Sequence, residues 1–342
     1  MLPVDLRSDT VTLPTDAMRA VMASAPVGDD VFREDPTVRA LEEHAALLMG
    51  QEAALFVPSG TMANQLAILA WCNRGDEVLV GEGAHSYESE GGAGAVLAGV
   101  QFRVVGRGGH FTAAEIEAAA RSEDPSGHAP TPTLLMIENT HNRGGGKVMP
   151  AIALAAVAQA ARARGLRTHM DGARLFNAAT ASDLPAAAFG QHVDSVSFCL
   201  SKGLGCPVGS LLCGPKPFIQ RAFRYRKMLG GGMRQAGILA AAGLYALEHH
   251  VADLAADHQR AQRLAQVLAT LPGIALDPTT VQSNIVIFSV LNQRPAELCA
   301  ALADRVRVLP FGGDTVRAVL HRDIDDAGLE RALAAFTQVL GG

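Results

Sequence analysis

A chain of 342 residues that is 49% hydrophobic and 18% charged has the apolar material for one large domain, or a large and a small one. Its net charge of −5 removes the electrostatic grounds for expecting nucleic acid or an anionic membrane as partner. The charged start MLPVDLRSDT does not read as a signal peptide, and no uninterrupted apolar run reaches the roughly 18 residues of a membrane span. Five cysteines, without a CxxC or Cys/His cluster, read as reduced core residues of a cytoplasmic protein with no structural metal.

Residues 1–14 read as an arm. Asp5, Arg7, Ser8, Asp9 and Thr10 are too polar for a core strand, and Pro14 ends the segment. Such an arm either reaches into a site or a partner subunit or is a solvated terminus, and the pattern alone favours the second. The acid-rich loop GDDVFRED (28–35) likewise suits solvent better than a cation. Asp35 and Pro36 then cap and start a helix with Val38, Leu41, Ala45 and Leu48 on one face, and Gly50 stops it. Strand 53–57 runs into Pro58-Ser59-Gly60-Thr61 and a helix over 62–72. A strand, a small polar turn and a helix start offer free N–H groups and hydroxyls to a phosphate, although many such turns only cap their helix. Strand 77–80 follows, with His85 beyond its carboxyl end. That histidine is either structural or, beside an aromatic ring, a stacking and proton-carrying group.

Strand 101–105 and helix 113–121 come next, and the turn-rich loop SEDPSGHAPTP (122–132) holds His128, which in isolation has no role. Strand 133–137 ends in Glu138-Asn139-Thr140-His141-Asn142, helix 150–164 follows, and strand 166–170 ends at Asp171-Gly172-Ala173-Arg174. The stretch DSVSFCLSKGLGCPVGS (194–210) organises the rest. Its apolar run delivers Lys202 to a strand's carboxyl end, on a loop with Gly203, Gly205 and Gly209, where open α/β sheets place their ligands. An amine there can form a Schiff base with an aldehyde, of which pyridoxal phosphate is the commonest; the plain alternative is a surface lysine in a turn. Asp171, 31 residues earlier, can pair with the pyridine nitrogen of such a ring, and Arg174 with its oxygen or a substrate carboxylate. A helix cap and its salt-bridge partner explain either residue alone, but poorly explain Asp, Arg and Lys at strand ends in this order.

Beyond the lysine, 215–229 reads as a basic helix (Lys216, Arg221, Arg224, Arg226, Lys227) that contacts an anion or a subunit. Gly230, Gly231 and Gly232, just before Arg234, mark a close backbone approach. Helices 235–248 and 250–271 lead to a smaller unit of strand 282–290, helix 295–304, strands 306–309 and 315–321, and helix 325–340. Arg317 on its short strand is a carboxylate clamp or a polar edge residue.

The segments DLRSDTVTLP (5–14), GDDVFREDPTV (28–38), PSGTMANQ (58–65), ENTHN (138–142), HMDGARLFNA (169–178), LSKGLGCPVGSLL (200–212) and RKMLGGGMRQAGILAAAG (226–243) resemble those of the low-specificity L-threonine aldolases. The resemblance covers essentially the whole chain. It implies a fold-type-I, aspartate-aminotransferase-like architecture of class α/β. A large domain (15–248) would hold a mainly parallel seven-stranded sheet flanked by helices, beside the arm (1–14) and a smaller α+β C-terminal domain (249–342). It also implies pyridoxal phosphate held by Lys202, with Asp171 at the ring nitrogen, His85 stacked on the ring, and Ser59, Gly60 and Thr61 at the phosphate. Ser8, Arg174 and Arg317 would hold the substrate carboxylate, Arg234 would reach a neighbouring subunit's phosphate, and His85 or His128 would be the base. The implied protein is a cytoplasmic homotetramer with sites shared across subunits and no metal. Its reaction would be reversible cleavage of L-threonine, L-allo-threonine or phenylserine to glycine and an aldehyde. A sister enzyme acting at Cα–H (alanine racemase, β-eliminating lyase or aminotransferase) is the alternative. Two departures stand out: Phe32-Arg33 where the family usually has Tyr-Gly, and extra glycines at 144–146.

Overall fold

The computed structural model describes residues 2–122 and 126–341. In chain order the strands are β1 (Val4–Asp5), β2 (Ala53–Val57), β3 (Glu77–Gly81), β4 (Gln101–Val105), β5 (Pro132–Glu138), β6 (Arg167–Asp171), β7 (Ser195–Cys199) and β8 (Ser210–Gly214). They continue as β9 (Ile274–Ala275), β10 (Ile285–Val290), β11 (Val306–Arg307), β12 (Leu309–Pro310) and β13 (Thr315–Val319). Seven of them form one sheet in the order β2-β8-β7-β6-β5-β3-β4. All its neighbours are parallel except β8, which runs against both β2 and β7. The fold class is therefore the one expected, a mainly parallel seven-stranded sheet flanked by helices. A smaller antiparallel sheet, β12-β13-β10-β9, lies toward the C-terminus.

Sequence reasoning missed β8, whose five residues lie between Gly209 and Pro215 and offer no periodicity because both faces are buried. It also joined 306–309 into one strand. The chain splits there: β11 pairs with β1, whereas β12 pairs with β13.

Local signals behave as read at the helix Pro36–Met49. Asp35 accepts the N–H groups of Thr37 and Val38, and Gly50 closes the helix at φ +64°. Other readings need correction. The N-terminal arm is no solvated terminus: Val4 and Leu6 are buried in the C-terminal core, and the Leu6 carbonyl accepts the Val319 N–H at 2.9 Å. The acidic loop is also engaged. Asp30 forms a buried pair with Arg226 at 2.7 Å, and Asp29 meets Arg234 at 2.9 Å. Arg226, expected on a basic outer face, thus points inward and also donates to the Phe56 carbonyl. Among the described residues, no helix is long and apolar enough to cross a membrane.

Candidate active site

The parallel strands β3, β5, β6 and β7 end along one edge of the large sheet, and register there sets the site. Glu138 at the end of β5 lies opposite Asp171 at the end of β6, and Asp171 lies opposite Ser197 of β7. Lys202 follows three residues after β7. Its carbonyl accepts the Thr12 hydroxyl at 2.9 Å and the Gly205 N–H at 2.8 Å, which ties the loop to the arm. The half-buried side chain has no ion pair or hydrogen bond among the described residues, and its charge acts on both Asp9 and His85, so its amine lies uncommitted near them.

Asp171 is buried, and its carboxylate has neutral donors only. Oδ2 accepts from Asn64 Nδ2 at 2.7 Å and Oδ1 from the Ala173 N–H at 3.1 Å. Asn64 Nδ2 also donates to Glu90 Oε1 at 2.8 Å, and Gln65 Nε2 donates to Glu90 Oε2 at 2.7 Å. Glu90 is thereby fixed to hold His85, whose Nδ1 lies 3.0 Å from Glu90 Oε1. That hydrogen bond is the main reason the imidazole sits above its ordinary pKa; Asp171 adds to the rise and Lys202 opposes it. His85 is thus within electrostatic reach of both Asp171 and Lys202. One ligand atom each from His85, Glu90 and Asp171 lies within 4.8 Å of the others, a spacing a metal could use. The Asn64 amide already donates between the two carboxylates, however, and a donor hydrogen there works against a cation.

Glu138 is the least expected member of the cluster. Its Oε2 accepts the backbone N–H of His85 and its Oε1 that of Asn142, both at 2.8 Å. Burial, and then the charge of Asp171, push its carboxyl up to about 7.

A second group of charges lies where the arm meets the small sheet. Arg174 is buried and bidentate to Asp9, Nε to Oδ2 at 2.7 Å and Nη2 to Oδ1 at 2.6 Å. Burial alone would raise the Asp9 carboxyl, but the charge and hydrogen bonds of Arg174, with the field of Lys202, bring it down to about 2. Two of the five guanidinium N–H groups of Arg174 are therefore committed to Asp9, and both N–H groups of Nη1 remain for a ligand. Arg317 donates from Nη1 to Asn142 Oδ1 at 2.9 Å and from Nη2 to the Arg7 carbonyl at 3.1 Å. Its buried Nε has no partner among the described residues. Burial and the neighbouring Arg174 bring its guanidinium down to about 10. Ser8 is half-buried, with its hydroxyl accepting the Thr10 N–H at 3.3 Å.

The turn at Ser59-Gly60-Thr61 opens the twelve-residue helix Gly60–Trp71, capped by Ser59 onto the Met62 N–H, with Ser59 and Thr61 exposed. A Cβ on Gly60 would lie 2.7 Å from Cys199 Sγ, so glycine is what lets this turn sit against the end of β7. Arg234 is far from idle, being paired with Asp29. His128 needs correction. It is exposed in the loop before β5, beside Ser126 Oγ at 2.6 Å. The seven residues of β5, about 20 Å at strand rise, separate that loop from the Glu138 end, so within one chain His128 takes no part in the cluster.

The donor set fits pyridoxal phosphate. Asp171 lacks a cation that a protonated ring nitrogen would supply, Lys202 offers a free amine for the aldehyde, and a capped helix start with exposed hydroxyls suits the phosphate. Sequence reasoning did not single out Asn64, Glu90, Asp9 or Glu138. A signal existed for Asn64: two adjacent amides interrupt an otherwise apolar helix, GTMANQLAILAW.

The family model described as beta-eliminating lyase matches residues 5–290. The chain is 43% identical to a probable low-specificity L-threonine aldolase 2 of Arabidopsis thaliana, over 98% of this chain and 97% of that one. It is 44% identical to the low specificity L-threonine aldolase of Escherichia coli K12, over 97% of each. In fold it is similar to a threonine aldolase structure from Leishmania major, with a TM-score of 0.83 at 19% identity, covering 98% of this chain and 99% of that one.

Proposed function

The chain belongs to the low-specificity L-threonine aldolases, pyridoxal-phosphate-dependent carbon–carbon lyases of the beta-eliminating lyase family, and from that premise we propose how its residues work. The substrates are L-threonine, L-allo-threonine and related β-hydroxy-α-amino acids including phenylserine, cleaved reversibly to glycine and an aldehyde. When bound, pyridoxal phosphate supplies a sink for the electron pair left at Cα. Lys202 anchors the cofactor by its amine. Asp171 holds the ring nitrogen protonated, and Asn64 and the Ala173 N–H aim the carboxylate. Ser59, Gly60 and Thr61 bind the phosphate.

Arg317 takes the substrate carboxylate with its unpartnered Nε, assisted by Arg174 and Ser8. Fixing the carboxylate would restrict rotation about Cα and hold the Cα–Cβ bond ready for cleavage, an orientation effect whose ceiling is about 7–11 kcal/mol. His85 would stack on the ring. With Nδ1 held by Glu90, its Nε2 takes the β-hydroxyl proton directly or through water, a contribution of about 10²–10⁴-fold. His128 acts only if a second copy brings it in. A homotetramer with shared sites is part of this reading, supported by Arg234 being turned to Asp29 while the Ser59–Thr61 turn has no cation paired to it among the described residues, and by the exposed Phe32, Val96 and Met228. So are the three-part division at 14 and 248 and a cytoplasmic location.

The observation that carries the proposal is the Asp171 carboxylate, buried among neutral donors and sharing the electrostatics of His85 with Lys202. The test is incubation of the cofactor-loaded protein with L-threonine, L-allo-threonine and phenylserine, with glycine and aldehyde quantified. A keto acid or Cα-epimerised substrate in their place, or racemisation of L-alanine supplied separately, would transfer the site to chemistry at Cα–H.

A further inference from the structure

Glu138 presents a cost without an evident return. It places a second carboxylate next to Asp171, out of water, where like charges repel. The groups facing it are Asp171 on β6, His85, His141 in the following loop and the nearby Arg174. None forms an ion pair with it closer than the 3.9 Å from His141 Nε2. What the carboxylate does hold is backbone. One oxygen takes the N–H of His85 and the other that of Asn142, 53 residues further back and 4 residues further on in the chain.

Each of those backbone points carries a working side chain. His85 is the ring-facing imidazole. Asn142 accepts with Oδ1 a hydrogen bond from Arg317 Nη1 at 2.9 Å. The loop beyond Asn142 is bound throughout to the C-terminal unit. The Gly146 carbonyl accepts the Ser283 hydroxyl at 2.9 Å, the Val148 N–H donates to Gln282 Oε1 at 2.8 Å, and Arg143 Nη1 donates to the Phe311 carbonyl at 3.2 Å. Arg143 and Arg317 also stack over the Phe311 ring, at 5.0 and 4.5 Å from its centroid. Glu138 is one of the large sheet's grips on this loop, beside Asn139 just after β5, whose amide exchanges hydrogen bonds with the Met149 backbone at 3.0 and 3.1 Å.

We propose that Glu138 is a positioning residue that sets the ring-facing His85 and the carboxylate-binding Arg317 at a fixed separation, one oxygen to each side. An ionised glutamate suits this because its two oxygens accept two N–H groups from different segments without a donor of its own. Glutamine in the same space turns one oxygen into a donor facing an N–H, so one of the two segments is released. The inference rests on the proposed roles of His85 and Arg317, while the protein's grip on the two segments is independent of them.

The test is Glu138→Gln, read two ways. Amide hydrogen exchange of the cofactor-free protein is followed in segments containing His85 and Asn142. Glycine binding to the loaded protein is followed by its visible absorbance. The expected result is faster exchange in one or both segments, with glycine affinity about tenfold weaker, the loss of a hydrogen bond to a charged acceptor. Adding Asn142→Ala should then weaken glycine by less than the two single effects combined. Unchanged exchange, or glycine affinity within about twofold of the parent, overturns the proposal. If Glu138→Gln does not fold, Glu138→Asp decides, since its shorter side chain cannot span both N–H groups: exchange must rise in at least one of the two segments and glycine must weaken, and unchanged exchange or retained affinity overturns the proposal. Failure of threonine cleavage in the parent would sink the functional reading and leave the exchange result standing.

Discussion

The two ends of the site are unbalanced in opposite directions. At the ring end, Asp171 is a buried anion held by an amide and a backbone N–H, with no cation of its own. At the carboxylate end, Arg174 and Arg317 crowd together with one carboxylate, Asp9, between them, and Arg317 keeps an unpartnered Nε. Each end lacks the charge that its ligand would bring, a pyridinium to the first and an amino-acid carboxylate to the second. The construction differs as well. The ring end is made within one sheet by strand register, whereas the carboxylate end is assembled from the arm, the large sheet and the small sheet. Imbalance of this kind marks a binding site more specifically than a cluster of charges does, because a purely structural cluster closes on itself.

If the comparison holds, substitutions at the two ends fail differently. The largest effect belongs to the anchor of the ring end. Lys202→Ala should remove the visible absorbance of the loaded protein and lower kcat about 10⁴-fold or more. Asp171→Asn should follow, lowering kcat about 10²–10³-fold in steady-state assays while KM for L-threonine changes little. Arg317→Ala should do the reverse, raising KM about 10²-fold, as expected when a buried charge pair worth roughly 2–5 kcal/mol loses one partner. Exchange of those two phenotypes would break the division.

The smallest effect on chemistry, and a clear one on stability, belongs to Asp9→Asn. It leaves Arg174 buried without its anion, at a cost of about 3–5 kcal/mol in denaturant unfolding. The pH dependence has a definite sign. The Asp9 carboxyl lies at about 2 in the folded protein against an ordinary 3.8, so its stabilisation is complete above 3.8 and fades as pH falls toward 2. The gap in Tm between parent and variant should therefore narrow across that window.

The ring end was largely legible in the sequence. Lys202, Asp171 and the Ser59–Thr61 turn are each placed by local grammar, a short apolar strand followed by glycine or a helix start. The carboxylate end was legible only in part: Arg174 and Arg317 were read as candidate carboxylate clamps, but not the Asp9 that pairs with Arg174. Asp9 and Arg174 are 165 positions apart, and nothing local says that an arm rich in Asp, Arg and Ser will bury one of its acids against a helix start. Glu138 was visible as a polar residue at a strand end, but its two acceptors serve backbone N–H groups, which leave no trace in side-chain chemistry. His128 differs from both: it was named only for its position in the family pattern, in a loop that matches poorly, and strand direction puts that loop at the other end of β5 within the chain.

The claim on which the rest stands is that the amine of Lys202 carries the cofactor within reach of Asp171. The chain has four lysines, Lys147, Lys202, Lys216 and Lys227, so the claim can be tested at each of them at once. Borohydride reduction of the loaded protein, followed by proteolysis and mass spectrometry, should find the pyridoxyl group on the peptide containing Lys202 and on no other. A label on Lys147, Lys216 or Lys227, or none at all, would contradict the account.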